Sequence, residues 1–183
     1  GMGFDSLLFY RYLMAAVVMA AIQLVRRRSL AIAWRDVPMV LLLGVLFALS
    51  SVFMFMAFDY MPTGLVSTMY FIYPVITAII MSLFFRERMT WSRALSLVLA
   101  LAGIAMLYVS DGDEQIGVWG VVLTFAAALV YALYIVITNK SRIKSMPSST
   151  LAFWSLAVGA AIFFVRADFG VTLQEVPSLE AWG

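Results

Sequence analysis

The chain has 183 residues, 64% of them hydrophobic and only 12% charged, with a mean hydropathy of +1.02. A soluble domain carries about 25% charged residues, and no water-soluble core of this length buries so much apolar surface, so the composition is that of a membrane protein. The absence of cysteine and histidine removes disulfides, zinc sites, thiol nucleophiles and imidazole acid–base chemistry, and the net charge of +2 is spread between apolar runs with no basic patch for nucleic acid.

Six apolar stretches follow in order: Ser6–Val25, Val37–Phe58, Gly64–Phe85, Ser92–Val109, Ile116–Thr138 and Ser149–Val165. Each is near the roughly 20 residues that an α-helix needs to cross ~30 Å of hydrocarbon. The connections are short and polar, and no ten-residue alternation of a β-barrel is present. The expected fold is therefore all-α, a polytopic helix bundle in contact with the lipid bilayer.

The first span carries Arg11 about one and a half turns in, where a charge near mid-bilayer costs ~2.5–3.5 kcal/mol or more. It either attracts an anionic group of a substrate or snorkels to the interface beside Asp5 or Asp59. Nothing basic precedes this span, whereas Arg26–Arg28 follow it, so it does not read as a secretory signal.

The third span holds 22 uncharged residues, yet includes a proline, two tyrosines and several hydroxyls. On a helix Thr63, Ser67, Tyr70, Tyr73, Pro74 and Thr77 share an arc of about 120°. Pro74 is tolerable in mid-span because neighbouring helices and hydroxyls can satisfy the carbonyl it frees at Tyr70. The face is expected to be kinked, and either lines a watery path for a small solute or forms a packing seam. In the fourth span Ser96, Ala100 and Gly103 make a small-residue face for close helix approach. The fifth carries a second polar face, Thr124, Tyr131, Tyr134 and Thr138 with Gly120 beside them, open to the same two readings. Glu87, between Arg86 and Arg88, reads as an interfacial cap and anchor.

The loops after the first, third and fifth spans hold ten of the twelve basic residues. By the positive-inside rule these loops are cytoplasmic and both chain ends face outward, with the protein in the cytoplasmic membrane. No Asp or Glu lies inside any span, so antiport through a midplane carboxylate has no residue to run on.

The segment Leu7–Ala16 aligns with Leu151–Ala160 at an offset of 144 residues, sharing Leu, Phe and the last Ala. The two spans run in opposite directions, as in an inverted-topology repeat. Shifted by this offset, the partner of the fifth span falls upstream of the chain and that of the second falls beyond its end. The expectation is helices two to seven of a ten-helix protein of roughly 280–290 residues. Residues 1–110 would be most of a first repeat and 116–183 the start of a second. The remaining walls would come from missing helices of the same protein or from a second subunit.

Phe9-Tyr10-Arg11-Tyr12-Leu13-Met14-Ala15, Met61-Pro62-Thr63-Gly64-Leu65-Val66, Tyr73-Pro74-Val75, Phe85-Arg86-Glu87-Arg88-Met89-Thr90 and Ala102-Gly103-Ile104 resemble EamA-type members of the drug/metabolite transporter superfamily. The resemblance implies a permease or exporter of small metabolites such as amino acids, with its site between two repeats and no cofactor. Substrates vary across such proteins, so the resemblance names no ligand. The candidate cavity residues are Arg11, Ser67, Tyr70, Tyr73, Pro74, Thr77, Thr124, Tyr131 and Tyr134. An enzyme is disfavoured, because no metal motif, nucleophile elbow or intramembrane aspartate pair is present. A non-transporting assembly or sensor protein is the alternative.

Overall fold

The computed structural model describes residues 4–25, 32–86 and 117–166, together with residues 91, 95, 98, 99, 102 and 103. The elements are α1 (Phe4–Val25), α2 (Val37–Ala57), α3 (Thr63–Tyr70), α4 (Tyr73–Phe85), α5 (Val118–Lys140), a 3-10 turn (Arg142–Ser145) and α6 (Ser148–Arg166). Among the described residues five helical stretches are long and apolar enough to cross a membrane, α3 and α4 together making one of them. The chain is thus an all-α polytopic membrane protein, as its composition predicts. Most of the fourth span lies outside the described residues, as do Glu87 and the side chain of Asp5. Gly103 has open space where a Cβ would stand, so the close approach expected there is not made by any described residue.

Two compact units divide the chain: one formed up to Ala48 and from Arg142 onward, the other formed by Leu49–Ser141. In the first, α1 and α6 lie antiparallel. Phe9 meets Phe164 at 5.6 Å between ring centroids, Tyr12 meets Phe163 at 5.2 Å, and Gln23 Nε2 donates to Thr150 Oγ1 at 3.2 Å. The Tyr12 ring also lies 5.7 Å from that of Phe47 on α2, and its edge atoms occupy the space where a Cβ of Gly159 would stand. Glycine is required at that position because any Cβ would overlap the ring. Gln23 is wholly buried, and its Oε1 has no hydrogen-bond partner.

The buried residues Leu8, Tyr12 and Ala16 of α1 correspond to the buried Leu151, Ser155 and Gly159 of α6 at an offset of 143 residues. That is one residue short of the offset that aligns the side-chain identities, a rotation of about 100° around the helix. Ala16 and Ala160 are nonetheless both buried. The remaining face of α1 exposes Leu13, Met14, Val17 and Val18, an apolar surface that in a membrane protein meets lipid.

In the second unit, α3 and α4 run parallel to α5. At one end Gly117 N–H donates to the Tyr60 carbonyl at 3.3 Å, and Met61 occupies the space left by Gly120. Ala57, Met61, Leu65 and Val66 form a buried cluster here, joined by Val121 and Leu123. Further along, Ile76 packs with Ala128 and Ala132. At the far end Lys140 Nζ stands 4.9 Å from the centre of the Phe85 ring. Arg86 then stops α4 in the left-handed conformation, with φ of 51°. Alanines and a glycine at α5 contact positions let the backbones come close, which is how helices associate where lipid supplies no hydrophobic drive.

The third span differs from the expected single kinked helix. It is broken at Phe71–Ile72 into α3 and α4, with Pro74 in the first turn of α4. The amides of Phe71 and Ile72 donate to the carbonyls of Thr68 and Met69, both at 3.1 Å and in the i→i−3 pattern. The cause is proline's ring, which clashes with the carbonyl four residues back, that of Tyr70, where α3 ends. The first turn of a helix tolerates the missing N–H, so Pro74 starts α4 without strain.

Candidate functional site: a tyrosine cluster

The break places Tyr70 at the end of α3 and Tyr73 at the start of α4, with ring centroids 5.6 Å apart. Tyr131 of α5 reaches both. It lies 5.7 Å from Tyr70 and meets Tyr73 edge-on at 4.8 Å and 86°. Tyr134, one turn further along α5, stacks on Tyr131 at 5.6 Å with the rings only 12° from parallel. Four of the nine candidate cavity residues therefore form one cluster. Each of the four is half-buried, so ring surface is left uncovered. Edge-to-face and offset-stacked pairs are the favourable aromatic geometries, because ring faces are negative and edges positive.

Ser50 of α2 belongs to the same site and was not among the candidates. Its Oγ donates to the Ala127 carbonyl at 2.9 Å and lies 3.1 Å from the Tyr70 hydroxyl, so it accepts from Tyr70. The available signal was the Ser50–Ser51 pair inside an otherwise apolar span.

The threonines behave differently from the tyrosines. Thr77 Oγ1 donates to the Tyr73 carbonyl at 2.8 Å, Thr124 to Gly120 at 2.7 Å, and Thr138 to Tyr134 at 2.8 Å. These hydroxyls are turned back onto their own helices. Thr124 is also only 1% exposed, which puts it among packed side chains. Ser67 on α3 and Thr77 on α4 are half-buried, and Pro74 is exposed. Arg11 belongs to the first unit, where it is exposed on α1. The face that the tyrosines and threonines share consequently presents aromatic surface, methyl groups and a few phenol hydroxyls rather than a row of donors. Such a surface can offer a neighbouring group shape and π contact. Among the described residues no group of three or more acidic, histidine or cysteine side chains is placed to hold a metal.

Known proteins place the chain by sequence. It is 25% identical over 152 residues to an uncharacterized transporter of Archaeoglobus fulgidus, a match covering 82% of this chain and 52% of that protein. It is 31% identical over 114 residues to an uncharacterized transporter of Synechocystis, covering 60% of this chain and 35% of the relative. For the uncharacterized transporter YvbV of Bacillus subtilis the identity is 32% over 90 residues, covering 48% and 30%. The chain thus spans about half or less of the length of these relatives. No solved structure matches it. Residues 2–109 match the EamA-like transporter family. With transporters as its relatives and membrane-length helices as its fold, the chain is a non-enzymatic membrane protein and belongs to the EamA-like transporter family.

Proposed function

We propose that the chain is part of a secondary transporter that moves small metabolites, such as amino acids or related compounds, across the cytoplasmic membrane by alternating access. The observation that carries this reading is the convergence of Tyr70, Tyr73, Tyr131 and Tyr134 at a proline-broken span. Broken helices mark substrate sites in many transporters, because the break is tolerated where a cavity or protein, not lipid, faces the backbone. In this reading residues 1–110 belong to one repeat and 116–183 to the next, related by inverted topology. The basic loops are cytoplasmic, and the path is walled further by helices of the same protein or of a second subunit. Ser67, Tyr70, Tyr73 and Thr77 face the path, Tyr131 and Tyr134 line its other side, and Arg11, in the first unit, attracts an anionic group of the substrate.

The absence of native cysteine makes the test direct. Single cysteines at Ser67, Tyr70 and Thr77 should react with small water-soluble thiol reagents in membrane vesicles, whereas cysteines at Ile72, Ile76 and Ile79 should stay inert. Equal reactivity around the helix would remove the wetted path.

A further inference from the structure

At one end of the first unit, Arg35, Asp36, Pro38, Met39, Arg142 and Ile143 enclose a crevice of about 240 Å³. Ile143 is 2% exposed and anchors the 3-10 turn, leaving the flanking Arg142 and Lys144 at the surface. Arg35 and Arg142 come from loops more than one hundred residues apart in sequence and both line this one space. Asp36, an acidic residue, lines the same crevice. Trp34, next to Arg35, is 89% exposed, and the apolar run of α2 starts three residues later at Val37. An exposed tryptophan directly before a membrane span marks the headgroup level of a bilayer.

One further feature continues from the crevice. Pro38, Leu41, Leu42 and Val45 are all exposed, at the i, i+3, i+4, i+7 spacing of a single helix face. A strip of apolar side chains therefore leads from two arginines and a carboxylate along the helix into the hydrocarbon.

We propose that this crevice binds one aminophospholipid. Its phosphodiester lies between Arg35 and Arg142, whose planar forks match phosphate oxygens. Its primary ammonium donates to the Asp36 carboxylate, and an acyl chain follows the strip from Pro38 to Val45. The carboxylate decides the headgroup: it opposes a purely anionic lipid, and a quaternary choline has no N–H to offer it. The apolar strip decides between a lipid and a soluble phosphate ester, which has nothing to place there.

The test is retention of lipid by the purified 183-residue chain in detergent, read by native mass spectrometry with dioleoyl phosphatidylethanolamine, phosphatidylglycerol and phosphatidylcholine added in equal amounts. One phosphatidylethanolamine should be retained over phosphatidylcholine by roughly tenfold, the ratio that a single good polar contact supplies. Asp36→Asn should abolish that preference, and Arg35→Gln with Arg142→Gln should reduce retention of all three lipids. Lys144→Gln, which removes one positive charge just outside the crevice, should have no effect. Equal retention of the three lipids by the unmodified chain, a comparison that needs no variant, would overturn the proposal. So would displacement of the bound lipid by glycerophosphoethanolamine as readily as by the lipid itself, which would make this a site for soluble phosphate esters. An Asp36→Asn variant that retained more of both phosphatidylethanolamine and phosphatidylglycerol would likewise refute the ammonium contact.

Discussion

Tyr73 meets Tyr131 edge to face, with centroids 4.8 Å apart and ring planes at 86°. Because Tyr131 also touches Tyr70 and stacks on Tyr134, it is the hub of the cluster, and Tyr134 is its end. Each such pair contributes about 0.5–1.5 kcal/mol beyond the area it buries. Tyr131→Ala should therefore destabilise the protein by about 2–4 kcal/mol and Tyr134→Ala by about 1 kcal/mol. Unfolding curves in mixed micelles measure both. Similar losses from the two variants would contradict the hub arrangement.

Ser50 and Tyr70 should be energetically coupled, since their oxygens lie 3.1 Å apart. Polar contacts between membrane helices are worth about 0.6 kcal/mol on average. A double-mutant cycle of Ser50→Ala and Tyr70→Phe should return a coupling of that order. Strict additivity would mean that Ser50 acts only through its bond to the Ala127 carbonyl.

Much of this was legible in the sequence, and the failures have definite causes. The second span was expected at Val37–Phe58 and forms Val37–Ala57, and the sixth was expected at Ser149–Val165 and forms Ser148–Arg166. Apolar runs of membrane length admit few other solutions. The break in the third span was signalled by Pro74, but it falls two to three residues upstream, because a proline disturbs the turn before it. Face arithmetic correctly grouped Tyr70 with Tyr73 and Tyr131 with Tyr134. It carried no information that the two pairs meet, since that depends on how α3 and α4 pack on α5. Nor does it register that a helical threonine can bond to its own backbone, which is why Thr77 and Thr124 looked more polar than they are.

Gly159 gives a packing test. A Cβ there would run into the Tyr12 ring, and Phe47 and Phe163 hem that ring in on other sides. Gly159→Ala should cost about 1–3 kcal/mol, as overpacking of a filled interior does. Gly64, by contrast, has nothing within 4 Å of where a Cβ would stand. Gly64→Ala should be neutral or stabilising by up to about 1 kcal/mol. Thermal unfolding of the two variants side by side distinguishes the environments.

Pro74→Ala restores an amide that can bond to the Tyr70 carbonyl. Amide hydrogen exchange over Phe71–Ile76 should slow as α3 and α4 join into one helix. Unchanged exchange would show that the surrounding packing, rather than the proline, holds the break open.

The proposed orientation has its own check. Cysteines at Thr63 or Asp113 should label from outside intact cells, and cysteines at Ser29 or Ser141 only after permeabilisation. The reverse pattern would overturn the sidedness.

The discontinuity of the first unit also constrains how the protein is made. Leu49–Ser141 is an uninterrupted segment, whereas α1 has its packing partner in α6, which begins at Ser148. About 120 residues separate the end of α1 from that start, roughly 6–25 s of synthesis at 5–20 residues per second. Through that interval Gln23 is in the chain but Thr150, which takes its amide proton in the finished structure, has not yet been polymerised. The nascent first span must therefore hold a polar amide at the membrane with some temporary partner, water or the insertion machinery, until the sixth arrives. Gln23→Leu should remove the need for that temporary partner, at the cost of leaving Thr150 without its donor in the mature protein.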